Sequence, residues 1–290
     1  MQFLKILFSP ITAPIRFIQR NFKATLLVII IISLYSNTSK DSLKQANLEE
    51  IVLSGAIMNA DDIINKITKA KQNKAIKGVL LIVNSPGGAV APSIEISYAI
   101  KELNNLKPVI VYASGTIASG SYYSAIWAKK IIANPGSMVG SIGVIMQSYD
   151  ASELLSTIGI KMQTVKAGTY KEAGTPTRAW SKKERAELNK VIKDTYNMFI
   201  TDVANARKLD IKDHTLFADA HIFTASQAKE VGLIDEVNTI TRAKELLISE
   251  SKVKDAVWKK KDKMDKFMEK LVQGSISKIG LFTNTKLVAF

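Results

Sequence analysis

The chain has 290 residues, of which 47% are hydrophobic and 23% charged, and it contains two histidines and no cysteine. This composition is that of a folded protein with enough apolar material for a substantial core, and it excludes disulfides, thiol nucleophiles and thiolate metal sites. The net charge of +14 is concentrated at the ends, because residues 1–23 carry four basic and no acidic residues and residues 252–290 carry ten lysines and four acidic residues. Basic ends around a weakly charged middle favour an anionic membrane surface over a nucleic-acid groove.

The N-terminal basic segment leads into an apolar run at residues 24–35. Twelve residues of helix span about 18 Å, less than a hydrocarbon core of about 30 Å. Three interpretations compete: the apolar part of a signal peptide, a buried core helix, or a membrane anchor lengthened by upstream apolar residues. The only nearby small-x-small triplet, 36–38, is a poor cleavage site. We therefore expect an uncleaved anchor in residues 1–36, with a cytoplasmic N-terminus and the rest of the chain exported.

The chain up to residue 113 alternates predicted strands and helices. In order, we expect a polar linker at 37–50, a strand at 51–55, a helix from Asp61 or Asp62 to about Gln72, a buried strand at 79–83, a helix at about 92–106 and a buried strand at 108–113. Continuous apolar runs are typical of strands that are covered on both faces. The alternation predicts an α/β fold with right-handed crossovers.

The second half of the chain continues in the same manner. We expect a strand at 130–133, a glycine-dense loop at 134–143, strands at 144–148 and 161–165 around a helix starting near Ala151, a loop at 167–178, a helix from Ser181 to about Arg207, a helix stopped by Gly232 and followed by a strand, and a helix at about 242–249. Ser181 and Glu184 have the spacing of a capping box. The predicted domain is 51–251, and the lysine-rich tail at 252–290 has no evident partner within the chain.

The central stretch is Thr-Ile-Ala-Ser-Gly-Ser-Tyr-Tyr-Ser-Ala at residues 116–125. It joins a predicted buried strand to a predicted helix. A turn of small residues at such a junction can present a serine hydroxyl beside free backbone N–H groups. Ser119 is therefore the candidate nucleophile. The alternative is that Ser119 and Gly120 only cap the helix or allow close packing.

A serine nucleophile needs a general base and donors for an oxyanion. Because both histidines lie in one late segment, a lysine with a lowered pKa is the natural candidate base. Lys171 lies in a loop between two glycines rather than in a charge run; its alternative is an ordinary surface loop. The N–H groups of Gly87 or Gly88 and of Gly120 are candidate oxyanion donors, and the alternative for the glycine pair is a tight turn.

Five segments together resemble the signature blocks of the signal peptide peptidase A family. They are, in order, NSPGG, ASGSYYSA, GSIGV, GTYKEAGTPTR and FTASQAKEVGLIDEV. The resemblance covers about residues 51–247, and it implies a serine–lysine peptidase with the Clp protease/crotonase-like fold. By this resemblance Ser119 is the nucleophile, Lys171 the general base, and Gly87 and Gly120 the oxyanion donors. Ser141 matches a serine that hydrogen-bonds the lysine and orients it.

Two positions depart from the family pattern. Ser121 stands where the family usually has a second glycine, and we expect its hydroxymethyl group to narrow the pocket or to restrict the turn. Ala220 and His221 replace a usual Gly-Arg pair, so His221 is expected to be structural.

The resemblance also implies an architecture and a biology. We expect stacked β-sheets with surrounding helices, behind a single-pass anchor in the inner membrane. The exported domain would hydrolyse apolar signal-peptide remnants through an acyl-enzyme, with no metal or other cofactor. Its partners would be peptide, membrane lipid and further copies of the chain in a ring, expected to be an octamer, and not nucleic acid. Three alternatives stay open: a related protease acting on membrane proteins, an acyl-CoA enzyme of the crotonase group, and a non-catalytic membrane scaffold.

Overall fold

The computed structural model describes residues 21–28 and 45–259. In the N-terminal unit, Met1–Gln45, it shows a helical segment at 22–28. The remainder of the predicted anchor and most of the predicted linker lie outside the described residues. Within these two described ranges, no helix has both the length and the apolar character needed to cross a membrane. The second unit, Ala46–Phe290, contains all of the elements that follow.

A seven-stranded sheet forms the centre of the described part of the second unit. Five of its strands run parallel along one path. In spatial order they are β1 (Leu48–Ser54), β2 (Gly78–Ser85), β3 (Val109–Ala118), β4 (Lys130–Ala133) and β7 (Glu236–Val237). The predicted strands in this set are confirmed, although β1 begins at Leu48, inside the predicted linker.

The sheet divides at β3, the longest strand. The first half of β3 pairs with β4 through Ala113, whereas the second half pairs with β5 (Met138–Gly140). A further strand, β6 (Ile222–Thr224), is antiparallel to β5. Where we expected stacked sheets, the described strands therefore form one mixed sheet with two branches. The fork carries the end of β3 away from β4 and towards β5.

Eight helices surround the sheet in residues 45–259. They are α1 (Asp61–Gln72), α2 (Val90–Leu106), α3 (Gly120–Ala125), α4 (Ser152–Thr157), α5 (Lys182–Arg207), α6 (His214–Phe217), α7 (Ala225–Glu230) and α8 (Ile240–Glu250). A 3₁₀ turn at Ile211–Asp213 precedes α6. All of the helices predicted in this range are present.

Both faces of the sheet are covered, which explains the continuous apolar runs. Along β3, Val109, Val111 and Ala113 belong to a large core shared with α1, α2 and α5. The alternate residues Ile110 and Tyr112 belong to a smaller core that packs against α8. Since successive side chains of a strand point to opposite faces, a strand between two helical layers must be apolar at every position.

The strands predicted at 144–148 and 161–165 are wrong. Residues 144–178, which we call the arm, contain the predicted helix near Ala151 but no strand. The apolar residues that suggested strands are largely exposed, including Ile145 at 80% and Val165 at about 100%. An apolar stretch forms a strand only where another strand offers its N–H and C=O groups, and none of the described strands pairs with the arm.

Of the two predicted helix caps, one is confirmed and one is wrong. The capping box of Ser181 and Glu184 at the start of α5 is confirmed, and Thr224 and Gln227 form a second one before α7. The predicted aspartate cap of α1 is wrong, because Ala60 occupies the cap position and no side chain caps it. Asp61 and Asp62 instead lie in the first turn, where their charge is favourable near the helix N-terminus.

The start of the lysine-rich tail has a partner after all. The Val257 carbonyl accepts hydrogen bonds from the N–H groups of Asn47 (2.8 Å) and Leu48 (3.2 Å), and the Lys259 N–H donates to the Leu48 carbonyl (2.8 Å). The Lys259 ammonium also lies 2.5 Å from a Glu49 carboxylate oxygen. Residues 257–259 therefore pair with the first residue of β1, beyond the predicted boundary at 251.

Candidate active site

Ser119 lies in the tight turn between β3 and α3, in a conformation that is rare for a residue with a side chain. Its φ is 53° and its ψ is −126°, a combination that costs free energy and persists only where neighbours enforce it. The Ser119 N–H donates to the Gly140 carbonyl (2.8 Å), and the Ser119 carbonyl accepts from the Tyr123 N–H (3.0 Å). The fork at β3 supplies the first bond and α3 the second, so the turn is fixed on both sides.

The predicted oxyanion donors lie beside this serine. A Cβ atom on Gly87 would be 2.7 Å from the Gly120 nitrogen and 2.9 Å from Ser119 Cβ, so only glycine fits there. The Gly87 N–H donates to the Ser85 hydroxyl (3.2 Å). Within residues 45–259, no acceptor contacts the Gly120 N–H, which lies at the first turn of α3. Of the two predicted donors, Gly120 is free for a ligand and Gly87 must first release Ser85.

The glycine turn that carries Gly87 is itself held by Ile57. The Ile57 N–H donates to the Gly87 carbonyl (2.8 Å), and the Ile57 carbonyl accepts from the Ala89 N–H (2.8 Å). A Cβ atom on Gly88 would lie 2.2 Å from the Ile57 carbonyl oxygen. The absence of a side chain at Gly87 therefore lets the backbone lie close to Ser119, and its absence at Gly88 lets the backbone lie close to Ile57.

Ser121 restricts the turn rather than narrowing the pocket. Its side chain is fully buried, and its Oγ lies 2.7 Å from the Ser85 carbonyl oxygen and 2.9 Å from the Ala118 nitrogen. These contacts join the beginning of α3 to the ends of β2 and β3. The hydroxyl therefore satisfies backbone groups that a glycine would leave without this partner.

A small, mostly apolar cleft opens beside Ser119. Its apolar side chains come from α2, α3, α5 and the beginning of the arm: Val90, Ile94, Tyr123, Val144, Met198 and Phe199. The Tyr123 ring meets Phe199 edge-on, with centroids 4.8 Å apart, and its hydroxyl donates to Asp202. Burial and the neighbouring Asp202 raise the pKa of Tyr123, so this tyrosine stays protonated and shapes the cleft. The sequence analysis missed α5 as a wall of the cleft, because its pattern indicates only an amphipathic helix.

Ser141 and His221 lie at the fork. Ser141 directly follows Gly140, the residue that binds the Ser119 N–H, and it also has a positive φ of 50°. Its N–H donates to the His221 carbonyl (2.7 Å), and the His221 ring lies near that of Phe223, tilted by 56° with centroids 6.0 Å apart. His221 does not line the cleft, which agrees with its predicted structural role.

Lys171 lies apart from the other predicted site residues. It is exposed, in the part of the arm between Gly168 and Gly174, and no hydrogen bond of the described residues joins its ammonium group to Ser119 or Ser141. The neighbouring Tyr170 lies beside the first turn of α5, whereas the cleft is reached at Thr195 of the same helix. Those two places are roughly 20 Å apart at 1.5 Å per residue. The Ser119–Lys171 pair stays a prediction.

A strained serine in the turn between a strand and a helix, next to a free N–H and an apolar cleft, is an arrangement found in α/β hydrolases. Comparison with known families identifies the group to which this chain belongs. Peptidase family S49 matches residues 101–254, and the Clp protease family matches residues 36–137. The chain belongs to peptidase family S49. Ser119 lies within both matches. The α/β fold of the chain is Clp-protease-like.

Individual relatives agree with this assignment. A protein of Methanocaldococcus jannaschii, named by inference a protease, is 43% identical over 61% of this chain and 57% of its own. A protein of Enterococcus faecium, named by inference the signal peptide peptidase SppA, is 34% identical over 68% of this chain and 58% of its own length. The chloroplast serine protease SPPA of Arabidopsis thaliana is 32% identical over 65% of this chain and 28% of its own length. The chain thus spans little more than half the length of the first two relatives.

Proposed function

We propose that this chain is a membrane-anchored serine endopeptidase in which Ser119 attacks the peptide carbonyl and Lys171 acts as the general base. The observation that carries the proposal is the backbone of Ser119, held at a positive φ beside the free Gly120 N–H and at the entrance of an apolar cleft. Strain of this kind is maintained where it serves function. Membership of a peptidase family supports the same reaction.

In the proposed mechanism each of these groups has one step. Neutral Lys171 takes the proton of the Ser119 hydroxyl as its oxygen bonds to the peptide carbonyl carbon. The resulting oxyanion accepts hydrogen bonds from the N–H groups of Gly120 and Gly87, the latter after Ser85 turns away. Protonated Lys171 then donates to the leaving amine, and neutral Lys171 activates the water that hydrolyses the acyl-enzyme.

The cleft supports an apolar substrate. Six of its lining residues present hydrocarbon or aromatic surface, and burial of such a side chain from a peptide contributes about 1.5–3 kcal/mol. Apolar remnants of cleaved signal peptides have this composition, and one relative is named for that activity. We therefore propose signal-peptide remnants as the substrate; a protease for membrane proteins is the second candidate, favoured by the same apolar cleft.

We also propose that the catalytic domain is exported and faces the outer side of the inner membrane. The support is the basic head of residues 1–23 before the apolar run at 24–35, since positive charge is retained on the cytoplasmic side. An anchor would keep the cleft near the membrane in which apolar remnants accumulate. Protease digestion of spheroplasts is the test: the domain is degraded from outside if it is exported, and recovery in the soluble cytosol would contradict the proposal.

The arm supports assembly into a ring that completes the site. Its apolar side chains are exposed in the single chain, among them Ile145 and Tyr149 at 80% and 91%, and exposed apolar surface of this extent marks an interaction site. A lysine side chain reaches only about 6 Å, short of the roughly 20 Å along α5. We therefore propose that Lys171 reaches the Ser119 of a neighbouring copy, in a homo-oligomer expected to be an octamer.

One pair of variants tests the dyad and the assembly together. Ser119→Ala and Lys171→Ala proteins are each expected to be inactive. When the two are mixed and reassembled, some neighbours pair an intact Ser119 with an intact Lys171, so activity returns. Labelling of the wild-type protein by a fluorophosphonate, and loss of the label in Ser119→Ala, separates an enzyme from a non-catalytic scaffold. Activity in either single variant would refute the dyad, and a mixture without activity would refute its sharing between copies.

A further inference from the structure

The residue after Lys171 belongs to a network of ion pairs. Arg178 lies between two carboxylates: its Nη2 is 3.1 Å from Glu172 Oε2 and 2.7 Å from Glu184 Oε1, and its Nη1 is 2.9 Å from Glu184 Oε2. The contact with Glu184 is therefore bidentate, which is the strongest geometry for an arginine–carboxylate pair. Through Arg178, the loop that carries Lys171 is joined to α5.

The α5 end of this network is rigid. Only 5% of the Glu184 side chain is exposed, and its Oε2 also accepts the N–H of Ser181 (2.8 Å). The Glu184 N–H in turn donates to the Ser181 hydroxyl (3.2 Å). Glu184 thus has two roles, since it closes the capping box of a 26-residue helix and receives Arg178.

The loop end is also closed. Glu172 accepts from the Lys166 ammonium at 2.5 Å as well as from Arg178. Inside the loop, the Ala173 N–H donates to the Tyr170 carbonyl and the Thr175 N–H to the Glu172 carbonyl, both at 3.0 Å. Lys171 therefore lies between Tyr170, which lines a pocket with the first turn of α5, and an anchored Glu172.

The charges of the network persist near neutral pH. Hydrogen bonds from Lys166 and Arg178 lower the pKa of Glu172 to about 2. Those from Arg178, and from Ser181, lower the pKa of Glu184 to about 2. The hydrogen bonds to Glu184 and Glu172 in turn raise the pKa of Arg178. Protonation of the carboxylates therefore cannot loosen the network near neutral pH.

We propose that Arg178 is a positioning residue for Lys171, because it fastens the lysine loop to the beginning of α5 through Glu172 and Glu184. The proposal rests on the proposed role of Lys171 as the general base. Pairs with exposed members contribute little to global stability, so the main effect lies in the placement of the loop. Misplacement of a catalytic group by about 1 Å can reduce the rate about 100-fold.

Two variants separate the link from the fold. Glu172→Gln removes the charge that ties the loop to Arg178 and leaves the Arg178–Glu184 pair and the capping box intact. Arg178→Gln removes both links. Arg185→Gln is the matched control. Arg185 lies on the same turn of α5 as Glu184, and its guanidinium contacts the Trp180 ring, 5.6 Å from the ring centre. All three are made in the full chain and compared with wild type and with Lys171→Ala.

We expect kcat for a fluorogenic apolar peptide to fall about 10- to 100-fold in Glu172→Gln and Arg178→Gln, with KM little changed. The pH profile of activity should also differ from that of wild type, since a loosened Lys171 no longer holds one position at the reacting serine. Arg185→Gln should match wild type in both measurements. Thermal unfolding of Glu172→Gln should match wild type, so that this variant decides the question if Arg178→Gln is unstable.

The outcomes distinguish the two proposals. Wild-type kcat and pH profile in Glu172→Gln, together with an inactive Lys171→Ala, would overturn the positioning role alone. Activity in Lys171→Ala would overturn the dyad and with it this inference. An equal loss in Arg185→Gln would show a general effect of charge near α5 and would also overturn the role of Arg178.

Discussion

The two halves of the proposed dyad lie in regions of opposite character. Ser119 is at the end of the longest strand, between a buried glycine turn, the fork of the sheet and α3. Lys171 is in the arm, which has no strand and many exposed apolar side chains, and which is fastened by ion pairs. Ser119 is thus placed by the core of its own chain, whereas Lys171 lies on an exposed surface. If Lys171 is the base of a neighbouring copy, as proposed, folding of one copy prepares only half of the site.

The largest effect is expected at Ser119, in the part of the proposed site that the core of the chain holds, here called the rigid half. Ser119→Ala removes the nucleophile and should reduce peptidase activity by at least about 1,000-fold, while the melting temperature changes little because the turn is held by backbone bonds. Ser114→Ala, which alters an exposed serine of the same strand, should leave the rate unchanged. Hydrolysis by Ser119→Ala at more than a few per cent of the wild-type rate would show that another residue attacks the substrate.

A loss of similar size is expected from the arm. Lys171→Ala should be inactive, and Lys171→Arg should be too, because a guanidinium does not release its proton near neutral pH. Lys161→Ala, at another exposed lysine of the arm, is the control for lost charge. Initial rates from pH 6 to 10 give the measurement, and an active Lys171→Arg protein would place the base elsewhere.

The wall of the cleft should change specificity rather than the reaction. Met198→Ala removes a partly exposed side chain from the lining and enlarges the cleft. A peptide that fits the wild-type cleft should lose about 10-fold in kcat/KM relative to a peptide with a larger apolar side chain, as expected for a changed apolar contact. Equal effects on both peptides would show that Met198 lies outside the binding surface.

Ser121 offers a test of stability at the rigid half. Ser121→Gly restores the usual family residue but removes the buried hydroxyl that contacts Ser85 and Ala118. We expect the free energy of unfolding to fall by about 1–2 kcal/mol, with peptidase activity retained. Chemical denaturation measures the change, and an unaltered midpoint would mean that water replaces the hydroxyl.

The smallest effect is a release of the arm in acid. The pKa of Glu172 and of Glu184 is about 2 in the folded protein against an ordinary value of 4.5. A lowered pKa stabilises the fold above pH 4.5, and this contribution declines as the pH falls towards 2. Trp180, whose indole donates to the Thr175 carbonyl, should report the release by fluorescence in a variant with the other two tryptophans replaced. Trp180 fluorescence that stays constant from pH 5 to 2.5 would contradict the release of the arm.

The sequence predicted the rigid half far better than the arm. The buried strands around Ser119 are confirmed, because apolar runs and small-residue turns are local signals that the core of the same chain satisfies. The strands predicted in the arm are wrong, because Ile145 and Val165 have strand propensity but no strand beside them. Arg178 contacts Glu172 and Glu184, each six residues away along the chain. No periodic pattern of the sequence indicates contacts at this spacing. The wall contributed by α5 depends on tertiary packing, which a helical pattern does not reveal.

The bonds between Asn47 and residues 255–257 join the two ends of the domain across 210 positions of sequence. Because a chain is made from its N-terminus, β1 emerges long before the segment that covers its edge. At 5–20 residues per second the delay is roughly 10 to 40 s. During that time the N–H and C=O groups at the beginning of β1 are open to other strands. These groups of Asn47 and Leu48 find their partners only when synthesis has passed Lys259, so a chain interrupted earlier leaves them unpaired.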